Sequence, residues 1–340
     1  MSKTWSRRAA LAALFLLVLG APLANASSAS AAATGSNGRH GSGHHARGYV
    51  AMGDSYSSGE GTGRYYRRTD TATNACHRSP VAYAPLLDRS RRSLKLTGFV
   101  ACSGATTHDL YAPNHSYPDE PAQLSALSTR TRMVSLTIGG NDLGFTQVVG
   151  ACLQTAVDQR FGCSQNPLLT GAVAARTAAL AGRATVPDAQ GFPITAIGQV
   201  LADIADRAPH AKIYLAGYPE LFGSDAAHYT RDPSAPSGSS CVLNASVGAR
   251  IDYADAQWFL RSTRTVNAVF AQAVQQARSG GVRATYVSPS TFDGHGLCDE
   301  HRSYIQPLVI TNGQIQPESL HPTVAGQAKG YARAFRHAGL

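Results

Sequence analysis

The chain has 340 residues, of which 43% are hydrophobic and only 15% charged. That balance excludes a disordered chain, and the length suits one large α/β domain with a real core, or two small domains. The formal charge is +9, and the basic runs Arg64, Arg67, Arg68 and Arg89, Arg91, Arg92, Lys95 lack the interleaved aromatic residues of a nucleic-acid site, so nucleic acid is not expected as a partner. Attraction to anionic surfaces is the functional reading of these runs; a solvated loop surface is the reading taken.

At the N-terminus, Lys3, Arg7 and Arg8 precede an apolar run from Ala9 to Gly20, and Ala24-Asn25-Ala26 supplies small residues for cleavage. This order predicts a secretory signal peptide over residues 1–26, too short in its apolar part to span a membrane comfortably. Its removal would leave a charge of about +6. The twin arginines are a loose match to the folded-export signal. Residues 27–48 are mostly Ser, Ala, Gly, Asn and His, and cannot bury enough surface to offset their ordering entropy, which predicts a flexible linker. His40, His44 and His45 beside Arg39 could hold a metal weakly; a polar tail is preferred. No further run reaches membrane-spanning length, so the expected product is an exported monomer without stable membrane insertion.

A single domain is expected over residues 49–340. Tyr49-Val50-Ala51-Met52, ended by Gly53, reads as a buried strand, and similar runs recur at Gly98 to Ala101, Met133 to Ile138, Lys212 to Ala216 and Val282 to Val287. Between them, Leu201, Ile204, Ala205 and Ala208 share one helical face, as do Val266, Val269, Phe270, Ala273, Val274 and Ala277. Strands alternating with helices argue for a parallel sheet covered on both sides, a three-layer α/β/α fold of flavodoxin-like plan. Such sheets place their sites just beyond the carboxyl ends of the strands. The segment Gly223 to Gly248 is mostly polar and supplies no long apolar lid, which favours an esterase over an interfacial lipase.

Four segments beyond strand ends could carry chemistry. Gly53-Asp54-Ser55-Tyr56-Ser57-Ser58-Gly59-Glu60-Gly61 puts a serine among small residues at a helix start, where its hydroxyl is exposed; alone, an ordinary capped turn explains it as well. It is not the G-x-S-x-G elbow. Gly104 in Ala101-Cys102-Ser103-Gly104-Ala105 would let backbone approach a ligand. Asn141, after Gly139-Gly140, could donate to a developing oxyanion. His321, held by Pro322, suits a general base. Each of these alone is more simply a turn or a loop residue.

Together and in this order they resemble the GDSL/SGNH hydrolase family, whose four blocks carry Ser, Gly, Asn and His. The resemblance spans the chain from Tyr49 onward and is strongest to secreted bacterial esterases and lipases with three disulfides. It implies hydrolysis of acyl esters without metal or other cofactor. Ser55 would be nucleophile, His321 base, and the Ser55 N–H, Gly104 N–H and Asn141 amide the oxyanion hole. The six cysteines allow 15 pairings, from which sequence alone does not choose, although the closeness of Cys152 and Cys163 suggests a small staple. The resemblance implies Cys76–Cys102, Cys152–Cys163 and Cys241–Cys298. A zinc site lacks ligand spacing. Many members carry Asp three residues before the histidine, where this chain has Glu318. Either that carboxylate or a backbone carbonyl at Glu318–Ser319 orients the imidazole, and the carbonyl is the reading taken. Alternatives of the same fold are a phospholipase or a carbohydrate deacetylase; outside enzymes, a non-catalytic surface-binding relative.

Overall fold

The computed structural model describes residues 47–153 and 162–340. The expected signal peptide, and all of the expected linker except Arg47 and Gly48, lie outside the described residues. Five strands form one parallel sheet: β1 (Arg47–Gly53), β2 (Leu94–Phe99), β3 (Thr131–Thr137), β4 (Lys212–Ala216) and β8 (Ala284–Val287), in the spatial order β2-β1-β3-β4-β8. This is the flavodoxin-like order, and the chain reverses direction across the sheet between β1 and β3. Ligand sites in such sheets open beyond the carboxyl ends of the strands flanking that reversal.

The strands alternate between two cores. Tyr49 and Ala51 face one side, Val50 and Met52 the other, and all four are buried. On the first side Tyr49 shares its core with Leu87 of α2 (Tyr83–Ser90) and Phe335 of α7 (Ala332–His337). On the second, Met52, Val134 and Leu215 share theirs with Val200, Leu201 and Ile204 of α5 (Ile197–Arg207) and with Val266 and Phe270 of α6 (Tyr253–Ser279). Each of these fully buried side chains contributes about 1.5–3 kcal/mol. The remaining helices are α1 (Ser55–Ser58), α3 (Phe145–Cys152) and α4 (Pro167–Leu180). Local chemistry sets the helix starts: Asp252 caps α6 by accepting from Ala254 N at 2.8 Å, and Asn166 caps α4 with Pro167 in its first turn.

One expectation shifts. The second strand lies at Leu94–Phe99 rather than Gly98–Ala101. At the sheet edge only Leu94 is fully buried, so the strand alternates with polar residues and carries no long apolar run. Pairing does continue past it, since Val100 N donates to Ala51 O and Cys102 N to Gly53 O, each at 2.9 Å. Within and just beyond the polar Gly223–Gly248 segment, β5 (Thr230–Arg231), β6 (Ser239–Asn244) and β7 (Ala249–Asp252) form a small antiparallel sheet. The disulfides are Cys76–Cys102, Cys152–Cys163 and Cys241–Cys298, the pairing that the resemblance implies. Among the described residues no helix is long and apolar enough to cross a membrane.

Candidate active site

β1 ends at Gly53, whose φ of 112° is open to glycine and strained for other residues; a Cβ there would meet Thr137 O at 2.1 Å. The chain then turns into α1. Asp54 caps that helix, accepting from Tyr56 N at 3.0 Å, and Thr137 Oγ1 donates to the same carboxylate at 2.6 Å. The Tyr218 hydroxyl donates to its other oxygen. Burial pushes the Asp54 carboxyl up to about 6, against the lowering effect of these hydrogen bonds. Asp54 therefore ties the turn to β3 and to the residues after β4, and Ser55 is fixed as the first residue of α1.

Ser55 Oγ lies 2.8 Å from His321 Nε2. These two residues are 266 positions apart in sequence, and the fold brings them into direct contact. His321 sits in a loop clamped from several sides. Gln306 N donates to His321 O at 2.8 Å, Leu320 N to Gln306 O at 3.1 Å, and Tyr56 OH to Leu320 O at 3.0 Å. Leu320 is held at φ 61°, a left-handed conformation costly for a bulky residue, so the surrounding bonds over-determine the backbone beside the imidazole. His321 Nδ1 faces the Ser319 carbonyl oxygen at 2.9 Å. Among the described residues the Glu318 side chain makes no hydrogen bond to the imidazole; Glu318 contributes its main-chain carbonyl, which accepts from His321 N at 3.2 Å. Burial lowers the His321 pKa below the usual imidazole value, partly offset by the Glu60 charge and by the backbone carbonyls of Ser319 and Pro317.

The Gly104 loop and Asn141 meet each other beside this pair. Asn141 Nδ2 donates to Ala105 O at 2.9 Å, which joins the ends of β2 and β3. Gly104 has φ 82° with open space where a Cβ would lie, so conformation rather than crowding favours glycine. The loop is pinned by the Cys76–Cys102 disulfide and by Ser103 N donating to Cys76 O at 3.1 Å. Among the described residues neither Ser55 N nor Gly104 N has a protein acceptor. Ser55 and Asn141 both line one cleft, which is partly open to solvent. Its wall is mainly apolar, built from Phe145 and Val148 of α3, Val173 of α4, Leu221, and Trp258 and Phe259 of α6.

Two participants were not singled out from the sequence. Tyr218 accepts from Gly140 N at 2.8 Å while donating to Asp54, so one phenol couples the Ser55 turn to the Asn141 turn. Asn267 clamps its backbone, accepting from Tyr218 N at 2.9 Å and donating to Tyr218 O at 2.8 Å. Glu60 is fully buried just after α1. His77 Nδ1 lies 2.7 Å from its carboxylate, and Tyr65 OH donates to it at 2.9 Å. Burial alone would raise the Glu60 pKa; the His77 hydrogen bond and the charges of His321 and His77 outweigh it and hold Glu60 below its usual value. A Cβ at the next residue, Gly61, would come within 2.8 Å of His321 Cβ. Among the described residues no cluster of three or more metal-ligating side chains occurs.

The chain is similar to known proteins over this same extent. Residues 51–329 match the GDSL-like lipase/acylhydrolase family model. Lipase 1 of Streptomyces coelicolor is 31% identical over 289 residues, 84% of each chain. A lipase of Streptomyces rimosus is 32% identical over 283 residues, 83% of each chain. Among solved structures, phospholipase A1 from Streptomyces albidoflavus aligns over 87% of this chain and all of its own, with TM-score 0.64 and 26% identity. The extracellular lipase of S. rimosus aligns over 86% of this chain and all of its own, with TM-score 0.60 and 27% identity. With the parallel sheet, the three disulfides and a family match across nearly all the described residues, this chain belongs to the GDSL-like lipase/acylhydrolase family and is a carboxylic ester hydrolase.

Proposed function

We propose that the protein is an exported serine esterase or lipase in which Ser55 and His321 form a catalytic dyad. The observation that carries this reading is the 2.8 Å contact between Ser55 Oγ and His321 Nε2, with the imidazole oriented by the Ser319 carbonyl. In the first half-reaction Ser55 Oγ attacks the ester carbonyl carbon and its proton passes to Nε2. The resulting imidazolium keeps its Nδ1 proton on Ser319 O. The tetrahedral oxyanion is met by the Ser55 and Gly104 N–H groups and the Asn141 amide. Collapse breaks the bond to the alcohol oxygen, which leaves with the proton from Nε2. Water then attacks the acyl-enzyme by the same route, releasing the carboxylic acid and restoring Ser55.

The apolar cleft beside Ser55 supports acyl chains longer than acetyl. Phe145, Val148, Val173, Leu221, Trp258 and Phe259 would bury methylenes at about 0.8 kcal/mol each. A polar acetylated glycan gains nothing from such a wall, which disfavours the deacetylase reading. Glycerophospholipids remain within the class, in keeping with the name of the S. albidoflavus relative. Export is supported by the three disulfides and by the N-terminal sequence, with residues 1–26 as signal peptide, 27–48 as linker and the hydrolase domain after them. The test is an ester panel from acetyl to long-chain acyl, with phospholipids and acetylated glycans included. Rising kcat/KM from acetyl to medium chains is expected; preference for acetylated glycans would contradict the assignment.

A further inference from the structure

The end of the sheet opposite Ser55 carries an unusual charge arrangement. Arg47 opens β1, Arg132 is the second residue of β3, Lys212 opens β4, and Arg283 immediately precedes β8. These are four adjacent strands. At the usual strand spacing the four cations span about 14 Å. With His210 they line one shallow concavity, and no Asp or Glu lines it. Among the described residues none of the five forms a salt bridge. The segment before Arg47 holds no Asp or Glu either, so it supplies no acidic side chain as counter-charge.

Main-chain carbonyls hold two of the guanidinium groups. Arg132 Nη1 donates to Thr129 O at 2.6 Å, and Arg283 Nη1 to His210 O at 3.1 Å. Each keeps further N–H donors for an outside acceptor. Four like charges in one row repel each other, and a bound anion relieves that repulsion. The planar fork of arginine suits phosphate oxygens, and lysine serves them as a point charge. No Phe, Tyr or Trp lines the concavity, so it lacks the broad stacking platform of a single-strand nucleic-acid site.

We propose that this row is a binding site for a linear, soluble anion bearing several phosphate groups. Its position favours that source of phosphate over a lipid surface. Seven-residue β1 separates Arg47 from the Ser55 turn by roughly 20 Å, and the row faces away from the catalytic cleft. A bilayer held there would turn the Ser55 opening away from the membrane. The site therefore holds its anion without engaging the ester substrate.

The experiment measures binding of inorganic tripolyphosphate to the full chain by calorimetry, at low and at physiological ionic strength. The triple variant Arg132→Gln/Lys212→Gln/Arg283→Gln is compared with the charge-matched control Arg67→Gln/Arg68→Gln/Arg278→Gln. Saturable binding is expected, weakened by salt and by about tenfold or more in the row variant, and little changed in the control. Ester hydrolysis and the thermal midpoint of the row variant should match wild type, which separates lost binding from lost folding. Absence of tripolyphosphate binding, or equal loss in both variants, would overturn the site. Row-dependent binding to phosphatidylglycerol vesicles without binding to tripolyphosphate would overturn the soluble ligand.

Discussion

The Nδ1 atom of His321 lies 2.9 Å from the carbonyl oxygen of Ser319, two residues back in the same loop. A neutral carbonyl fixes the tautomer and aim of an imidazole as a carboxylate would, but adds no full negative charge at that atom. Glu318→Gln, which keeps shape and removes charge, should therefore leave kcat within about tenfold of wild type, ~1.4 kcal/mol. A fall approaching the ~10⁴-fold cost of turning a triad carboxylate into an amide would make Glu318 the third member. Steady-state kinetics on one soluble ester decide it.

The larger negative charge that favours the imidazolium comes from Glu60, buried after α1 and held by His77 and Tyr65, with Glu318 adding a smaller share. This charge raises the His321 pKa, but burial lowers it by more, so the net shift is downward. The base is competent only when neutral. The acidic limb of kcat/KM in the wild type should therefore have its midpoint below ~6.5, the unperturbed imidazole value. Glu60→Gln removes a charge that favours the protonated form, so the limb should move to still lower pH. Its plateau kcat should fall by about tenfold, because the imidazolium formed in the transition state loses support. A fall in kcat with an unmoved limb would mark Glu60 as a packing residue only.

Much of this site was legible because its residues follow strands with strong signals. β1, β3 and β4 are buried on both faces and carry short apolar runs, so Ser55 and Asn141 stood out beyond the ends of β1 and β3. The same rule pointed at the residues after β4, but Tyr218 there is an ordinary Gly-Tyr-Pro turn until Asp54 and Gly140 converge on its hydroxyl. Glu60 stood inside the quoted serine motif. Its importance depends on burial beside His77, 17 residues away, which no local spacing encodes. The short strands β5–β7 were hidden because their few buried apolar residues, Leu243, Ala249 and Ile251 beside Cys241, are spread among polar ones over only a few positions and give no long apolar run. Nor could spacing choose the acceptor for His321, since Glu318 and the Ser319 carbonyl both lie within three residues of it.

Asn141 already spends one amide hydrogen on Ala105 O, which holds its side chain in place. The second hydrogen is left free for the proposed oxyanion role. Asn141→Ala should lower kcat by ~10²–10³, the usual cost of one such donor, with a smaller change in KM because the charge develops only in the transition state. A change confined to KM would reassign Asn141 to substrate binding.

The central claim is that Ser55 carries the acyl group. Its most direct test is labelling with a serine-reactive fluorophosphonate, read by intact mass and peptide mapping. One adduct per chain is expected, on Ser55, with hydrolysis lost in proportion to labelling. The folded Ser55→Ala variant should take up no label and hydrolyse no ester, and the neighbours Ser57 and Ser58, both fully buried, should not substitute. An adduct on another residue, or near-normal hydrolysis by Ser55→Ala, would contradict the account.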